Sequence, residues 1–286
     1  MRDWIRNHQL LAFFGISYAI AFITVFGEIL LKPGQPMTPW SLTWFLFVFS
    51  PSISAVLVAW ASGGLPAVRR VLSGFTRWNV GLRWYLAAAF MLLSPLAIAL
   101  IYISLGNPAA GLQPGMTIPL LLGQVFFQFF SGPFSEEAGW RGFALPRLQA
   151  RYSALVSSLI LGVLWTCWHL PLFFQTGQSQ MGIPFPIYLL LSVTLTVYMT
   201  WLYNNTHGSL VVTVFCHFAY NLTGTLVTGT VSLIPAMTFY MIAGPLLFLV
   251  VIGVVVYFGP RRLSRKAESE LPFEAAQPRL GAASAV

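Results

Sequence analysis

The sequence predicts an all-α polytopic membrane protein with eight transmembrane helices and both termini in the cytoplasm. Its composition is 57% hydrophobic and only 8% charged, whereas a soluble domain carries roughly 25% charged residues. The mean hydropathy is +0.76. Long apolar segments alternate with short polar linkers, and the basic residues concentrate in every second linker. These patterns exclude a soluble globular protein.

A transmembrane helix needs about 20 mainly apolar residues. Eight segments meet this requirement, at about 9–31, 41–62, 84–104, 117–137, 153–175, 185–203, 208–229 and 234–258. Turn residues such as Lys32-Pro33-Gly34 separate them. The first segment is longer than the ~7–15 residues of a signal-peptide core. We therefore expect it to be retained as a span.

The basic residues predict the orientation, because cytoplasmic loops carry an excess of lysine and arginine. Basic residues precede the first predicted span and follow the eighth. They also occupy the linkers between spans two and three and between spans four and five. These residues are Arg2, Arg6, Arg69, Arg70, Arg77, Arg83, Arg141, Arg147, Arg151, Arg261, Arg262, Arg265 and Lys266. The linkers on the other side hold one basic residue, Lys32. The net charge of +8 thus reflects the positive-inside bias of a multi-pass membrane protein. We expect the protein to lie in a bacterial or archaeal cell membrane, with the bilayer and no nucleic acid as its partner.

Residues 1–259 are expected to form one intramembrane domain, and residues 260–286 a loosely ordered cytoplasmic tail of mixed charge. The two cysteines, Cys167 and Cys216, lie in apolar segments and indicate no disulfide scaffold.

The most unusual feature is a pair of adjacent acids, Glu136 and Glu137, directly after an apolar run. Between Trp4 and Ala267 the chain has only one other carboxylate, Glu28. An ionisable group within a membrane span costs at least ~2.5–3.5 kcal/mol on insertion scales. Arg141 follows Glu137 by four residues, which puts the two on one helix face. We expect this pair to neutralise Glu137 and leave Glu136 available for chemistry.

Two histidines lie inside later apolar segments. His169 follows Trp165 by one helical turn, and His217 precedes Asn221 by one turn. A hairpin that turns near Ser153 would place Glu136 and His169 at equal height, about 24 Å from the turn at 1.5 Å per residue. We therefore expect a carboxylate, two imidazoles and an amide to converge in the membrane.

This set of groups suits hydrolysis of a peptide bond. A carboxylate can remove a proton from water, while an imidazole and an amide stabilise the oxyanion that forms on the attacked carbonyl. Glu136, His169 and His217 could also hold a divalent metal such as zinc, since both residue types are zinc ligands. Gly132-Pro133, just upstream, is expected to kink the fourth span.

The motifs within 117–222 resemble those of the CPBP family of intramembrane proteases, which includes the type II CAAX prenyl endopeptidases and the bacteriocin-processing or Abi proteins. Glu136-Glu137-x-x-x-Arg141 and His217-x-x-x-Asn221 match in full; the motif ending at His169 has Trp165 where the family usually has Phe. We expect that departure to affect only local packing.

The resemblance implies Glu136 as the water-activating base, assisted by His169. It further implies His217 and Asn221 as the oxyanion hole, and Arg141 as the partner of Glu137. The peptidase could be of the glutamate type or a metalloendopeptidase. The implied substrate is a membrane-embedded or lipidated peptide or protein, and the site is expected to open toward the cytoplasmic half of the bilayer.

Two other classes remain open at this point. A proton-coupled transporter would also place a carboxylate and histidines at depth, although it would normally show inverted repeats. A non-catalytic immunity or scaffold protein could keep the same fold and use the polar residues for packing alone.

Overall fold

A computed structural model describes residues 2–109, 111, 113–229, 231 and 233–272. The all-helical prediction is confirmed in this part of the chain, which contains no strand. The helices are α1 (Arg2–Asn7), α2 (Gln9–Leu31), α3 (Leu42–Leu72), α4 (Leu82–Ser104), α5 (Ile118–Phe130), α6 (Pro133–Gly139), α7 (Leu145–Gln149), α8 (Ala154–Trp168), α9 (Phe185–Asn205), α10 (Leu210–Thr223) and α11 (Ala236–Phe258). A π-helical turn, Trp140–Ala144, joins α6 to α7, and another, Gly224–Thr228, extends α10.

Six helices in the described part are long and apolar enough to cross a membrane. They are α2, α3 with the 3₁₀ turn Ser73–Thr76, α4, α9, α10 with its π-helical extension, and α11. Together they make the chain a multi-pass integral membrane protein.

The predicted fourth and fifth spans take a different form from the continuous helices that we expected. The segment 117–137 divides into α5, of 13 residues, and α6, of 7. The segment 153–175 forms α8, of 15 residues, followed by the 3₁₀ turn Leu170–Phe173. Hydropathy averages over such breaks, which is why it predicts one long helix in each place.

The second predicted span also continues further than its apolar stretch. α3 runs on to Leu72, with non-helical backbone at Gly63 and Gly64. Gly64 has a φ of 64°, a left-handed conformation that glycine adopts without steric cost. The backbone at Gly63-Gly64 is thus a kink between a membrane helix and its basic extension.

α6, which carries the acid pair, packs closely against α3. A Cβ at Gly139 would lie 2.6 Å from the backbone of Pro51, so only glycine allows this approach. The hydroxyl of Ser52 donates to the carbonyl of Ser135 at 2.5 Å. These contacts place α6 in the protein interior, whereas α5 has no buried residue.

The described part of the predicted tail, residues 260–272, contacts the helical body. The side-chain amide of Asn205 donates to the carbonyl of Leu263 at 2.8 Å, and the hydroxyl of Ser264 donates to Oδ1 of Asn205 at 2.9 Å. Leu263 and Leu271 are buried. Residues 273–286 of the predicted tail lie outside the described residues.

Candidate active site

A break between α5 and α6 positions the acid pair. α5 ends at Phe130, and α6 begins with Pro133 as its first residue. Proline suits this position because its missing N–H would be unpaired in the first turn anyway. The amide of Glu136 donates to the carbonyl of Gly132 at 2.9 Å. The predicted kink at Gly132-Pro133 is therefore a complete interruption of the helix.

Glu136 is buried, and one of its two oxygens is held by two tryptophans. Oε2 accepts hydrogen bonds from Nε1 of Trp140 at 2.9 Å and from Nε1 of Trp165 at 2.7 Å. The side chain is 2% exposed. Because both indoles bind the same oxygen, the orientation of the carboxylate is fixed. Its other oxygen, Oε1, faces Gly132.

Glu137 binds both a guanidinium and an imidazole. Its Oε1 accepts from Nη1 of Arg141 at 2.8 Å and from Nδ1 of His217 at 2.9 Å. Glu137 and Arg141 are fully buried. The predicted pairing of Glu137 with Arg141 is present. The contact with His217, 80 residues along the chain, is an addition that the spacing within one helix does not reveal.

Three polar atoms surround one point beside Gly132. A Cβ built on Gly132 would lie 3.0 Å from Nδ2 of Asn221, 3.2 Å from Oε1 of Glu136 and 3.4 Å from Nε2 of His217. A carboxylate oxygen, an imidazole nitrogen and an amide nitrogen thus face the same small space. The absence of a side chain at Gly132 keeps that space open.

His169 lies at the end of α8 and lines the same cavity as Glu136. Its Nδ1 bonds to the carbonyl oxygen of Trp165 at 2.9 Å. Since a carbonyl only accepts, Nδ1 is the protonated nitrogen and Nε2 is the free ring atom in the neutral form. The ring packs edge-on against those of Trp168 and Tyr188. The side chain of Trp165 thus contacts Glu136, while its backbone binds His169.

Glu136, His169, His217 and Asn221 all line one cavity of about 1660 Å³. Most of the cavity wall is apolar and aromatic. Polar groups contribute along α5 and in the following turn, at Gln124, Gln128 and Ser131.

The cavity extends toward the connecting segments 36–40 and 177–183. These lie at the ends of the helices opposite the basic loops. The expectation that the site opens toward the cytoplasmic half of the bilayer stays a prediction.

The candidate zinc ligands do not form a recognisable metal site. Within the described ranges, no three histidine, cysteine, aspartate or glutamate side chains are placed to hold one metal ion. Structural zinc sites use four protein ligands and catalytic ones three. Here Oε2 of Glu136 and Nδ1 of His217 are both engaged by protein partners. Zinc binding stays a prediction, and no step below uses a metal.

Two observations were not predicted: the hydrogen bonds from Trp140 and Trp165 to Glu136, and the contact of His217 with Glu137. Trp140 follows Glu136 by four residues, a spacing that places the two on one helix face. That signal was available in the sequence. The other contacts join separate helices and depend on the tertiary fold.

The chain thus places a carboxylate, two imidazoles and an amide around one interior cavity, and such groups can perform proton transfer and stabilise an oxyanion. Comparison with known proteins found two similarities. The family model described as "Type II CAAX prenyl endopeptidase Rce1-like" matches residues 118–223, the segment that carries every residue of the candidate site.

A curated relative is "CAAX prenyl protease 2" of the archaeon Methanococcus maripaludis. It is 30% identical over 139 residues, which cover 46% of this chain and 49% of the relative. The chain thus spans about half the length of the curated relative that it matches. Both findings show that this segment of the chain is similar to CAAX proteases.

Proposed function

We propose that this chain is an intramembrane endopeptidase that hydrolyses a peptide bond with a water activated by Glu136. The observation that carries the proposal is the placement of Oε1 of Glu136, Nδ2 of Asn221 and Nε2 of His217 around one point. The relationship to a protein named as a protease supports the same reaction class.

The first step forms a tetrahedral intermediate. Oε1 of Glu136 takes a proton from a water molecule, and the water oxygen attacks the carbonyl carbon of the scissile bond. The carbonyl oxygen becomes an oxyanion and accepts a hydrogen bond from Nδ2 of Asn221. Nε2 of His217 is a second donor when the ring carries both protons, because Nδ1 is bound to Glu137.

The second step breaks the carbon–nitrogen bond. The proton held by Glu136 passes to the leaving nitrogen, either directly or through Nε2 of His169, and the intermediate collapses to a carboxylic acid and an amine. His169 is suited to this transfer because its Nδ1 is occupied by the carbonyl of Trp165. Glu137 and Arg141 act indirectly, by holding the ring of His217.

The proposed substrate is a membrane-embedded or lipidated peptide or protein. The mainly apolar wall of the cavity suits a chain that arrives from the bilayer. Gln124 and Gln128 are one turn apart on α5 and line the cavity, so one stretch of its wall is polar.

We further propose eight membrane crossings with both termini inside. The two crossings beyond the six long apolar helices would be completed by α5 with α6 and by α8 with the 3₁₀ turn after it. Reporter fusions after residue 34, after residue 150 and after residue 286 test this topology. The first fusion should report an external position and the other two internal ones; any exchange of these results overturns the proposal.

The decisive test is cleavage of a panel of membrane peptides by the purified protein. Glu136→Gln removes the base and should lower the rate by about 10²–10⁴-fold. Glu28→Gln is a matched control, because Glu28 is also a buried acid but binds Lys32 and Thr43 instead. Equal rates for wild type and Glu136→Gln would exclude this mechanism. No cleavage by wild type, together with an unchanged cellular phenotype in the variant, would favour a scaffold protein.

A further inference from the structure

A second cavity lies at the basic ends of the helices, separate from the candidate active site. It has a volume of about 270 Å³ and is lined by residues 149–154 together with Arg261 and Arg262. Its wall includes a third arginine, Arg151, and the phenol of Tyr152. One water occupies ~30 Å³ of the liquid, so a phosphate group fits within this volume.

Hydrogen bonds connect the two segments that line this cavity, 149–154 and 261–262, to each other and to Asn204. The amides of Ala154 and Leu155 donate to the carbonyls of Arg261 and Pro260 at 2.8 and 3.0 Å. The side-chain amide of Asn204 donates to the carbonyl of Arg262 at 2.7 Å. Asn204 also exchanges two hydrogen bonds with the buried Gln149, which lines the cavity. The arginine backbones are thus held next to the start of α8.

The cavity carries three positive charges and no opposing charge from its own lining residues. Among the residues that the structure describes, the guanidinium groups of Arg151, Arg261 and Arg262 make no hydrogen bond or ion pair. Like charges at short range repel one another, so their grouping favours a bound anion. The first amides of α8 are already paired, so the guanidinium groups are the charged donors of this cavity.

The position of the cavity indicates the source of the anion. α8 begins at Ala154 and α11 ends at Phe258, so the arginines lie at the ends of two apolar helices. Basic pockets at such positions lie at the level of the lipid headgroups. Tyr152 is 50% exposed, as is common for tyrosine at a membrane interface.

We propose that this cavity binds the phosphate group of an anionic phospholipid. Arginine suits this ligand because its planar group donates two parallel hydrogen bonds to phosphate oxygens. The inference is independent of the proposed peptidase activity, because it rests on a different set of residues.

Native mass spectrometry of the delipidated full chain tests the proposal. The protein is titrated with phosphatidylglycerol, with phosphatidylcholine of the same acyl chains, and with inorganic phosphate. Wild type should retain one phosphatidylglycerol in preference to phosphatidylcholine. An arginine near an anionic surface contributes about fivefold in binding. The combined Arg151→Gln, Arg261→Gln and Arg262→Gln variant should therefore bind roughly 100-fold more weakly.

A matched control removes the same charge elsewhere, with Arg2→Gln, Arg6→Gln and Arg69→Gln, and should retain the lipid. If the first triple variant does not fold, the corresponding lysine variant keeps the charge and should lose only part of the affinity. The proposed site is wrong if wild type and the glutamine variant retain phosphatidylglycerol equally, or if the control variant loses the lipid to the same extent as the glutamine variant. Equal binding of inorganic phosphate without phosphatidylglycerol overturns the lipid as the source of the anion.

Discussion

Nε1 of Trp165 donates a hydrogen bond to Oε2 of Glu136 at 2.7 Å, across the 29 residues that separate α6 from the end of α8. A phenylalanine at this position would fill similar space but would have no N–H to donate. The sequence-based expectation that Trp165 affects only packing is therefore wrong. The indole connects two motifs and fixes the orientation of the acid.

Trp165→Phe should lower kcat about 10- to 100-fold and leave KM nearly unchanged. A hydrogen bond to a charged group contributes about 1.5–3 kcal/mol, and losing it misorients Oε1 of Glu136 without touching a bound substrate. Steady-state kinetics of peptide cleavage measures both constants. Trp84→Phe is the control, because Trp84 is buried on α4 and packs against Trp201, away from the acid. A rise in KM alone would show that Trp165 acts on substrate binding instead.

Gly132→Ala should abolish most of the activity while the protein stays folded. The added methyl would lie within 3.0–3.4 Å of Asn221, Glu136 and His217, where the reacting carbonyl is proposed to bind. A displacement of 1 Å among reacting groups can cost about 10²-fold, and we expect at least that loss.

Gly15→Ala is the control for this glycine, since a Cβ there meets nothing within 4 Å. Both variants should elute as monodisperse protein in size-exclusion chromatography. Full activity in Gly132→Ala would mean that the reaction takes place elsewhere in the cavity.

Much of the fold follows from hydropathy. The predicted segment 9–31 has the same limits as α2, and 84–104 and 234–258 differ from α4 and α11 by two residues at one end. The predicted helix limits are wrong where polar or glycine-rich backbone interrupts an apolar run, as at Ser131 and Gly132. An average over about 20 residues does not detect such a break, although Gly132-Pro133 did predict its position.

The site could be predicted only as far as local spacing allows. Glu137 and Arg141 are four residues apart on one face, and their contact is as expected. The contact of His217 with Glu137 joins α10 to α6, so it depends on how two distant helices pack. The extension of the cavity toward segments 36–40 and 177–183 depends on connecting segments, whose arrangement no helical periodicity encodes.

Proteolytic activity should persist after dialysis against a strong chelator. In the described residues, no three potential ligands are grouped for a metal, and Glu136 already uses Oε2 to accept two indole hydrogen bonds. The measurement is peptide cleavage before and after dialysis, with metal content determined on the same samples. Activity that is lost with the metal and restored by adding zinc would show that the groups rearrange to bind it.

The last prediction concerns the buried ion pair of Glu137 and Arg141. Its variants should change stability and activity in different ways. Glu137→Leu should destabilise the protein by about 3–5 kcal/mol, because it leaves the charge of Arg141 buried without its partner. Arg141→Met should destabilise the protein by a similar amount. The double variant removes both charges, and replacing a buried ion pair by apolar groups is often neutral. Its thermal unfolding temperature in detergent should therefore exceed that of either single variant.

Activity should not return in the same double variant. His217 would have lost the carboxylate oxygen that holds its Nδ1 at 2.9 Å, so Nε2 would no longer be fixed toward the site. Cleavage assays on the three variants measure this directly. If the double variant regains both stability and wild-type cleavage, the pair has only a structural role and His217 does not depend on Glu137. If it regains stability alone, Glu137 positions the imidazole for the reaction.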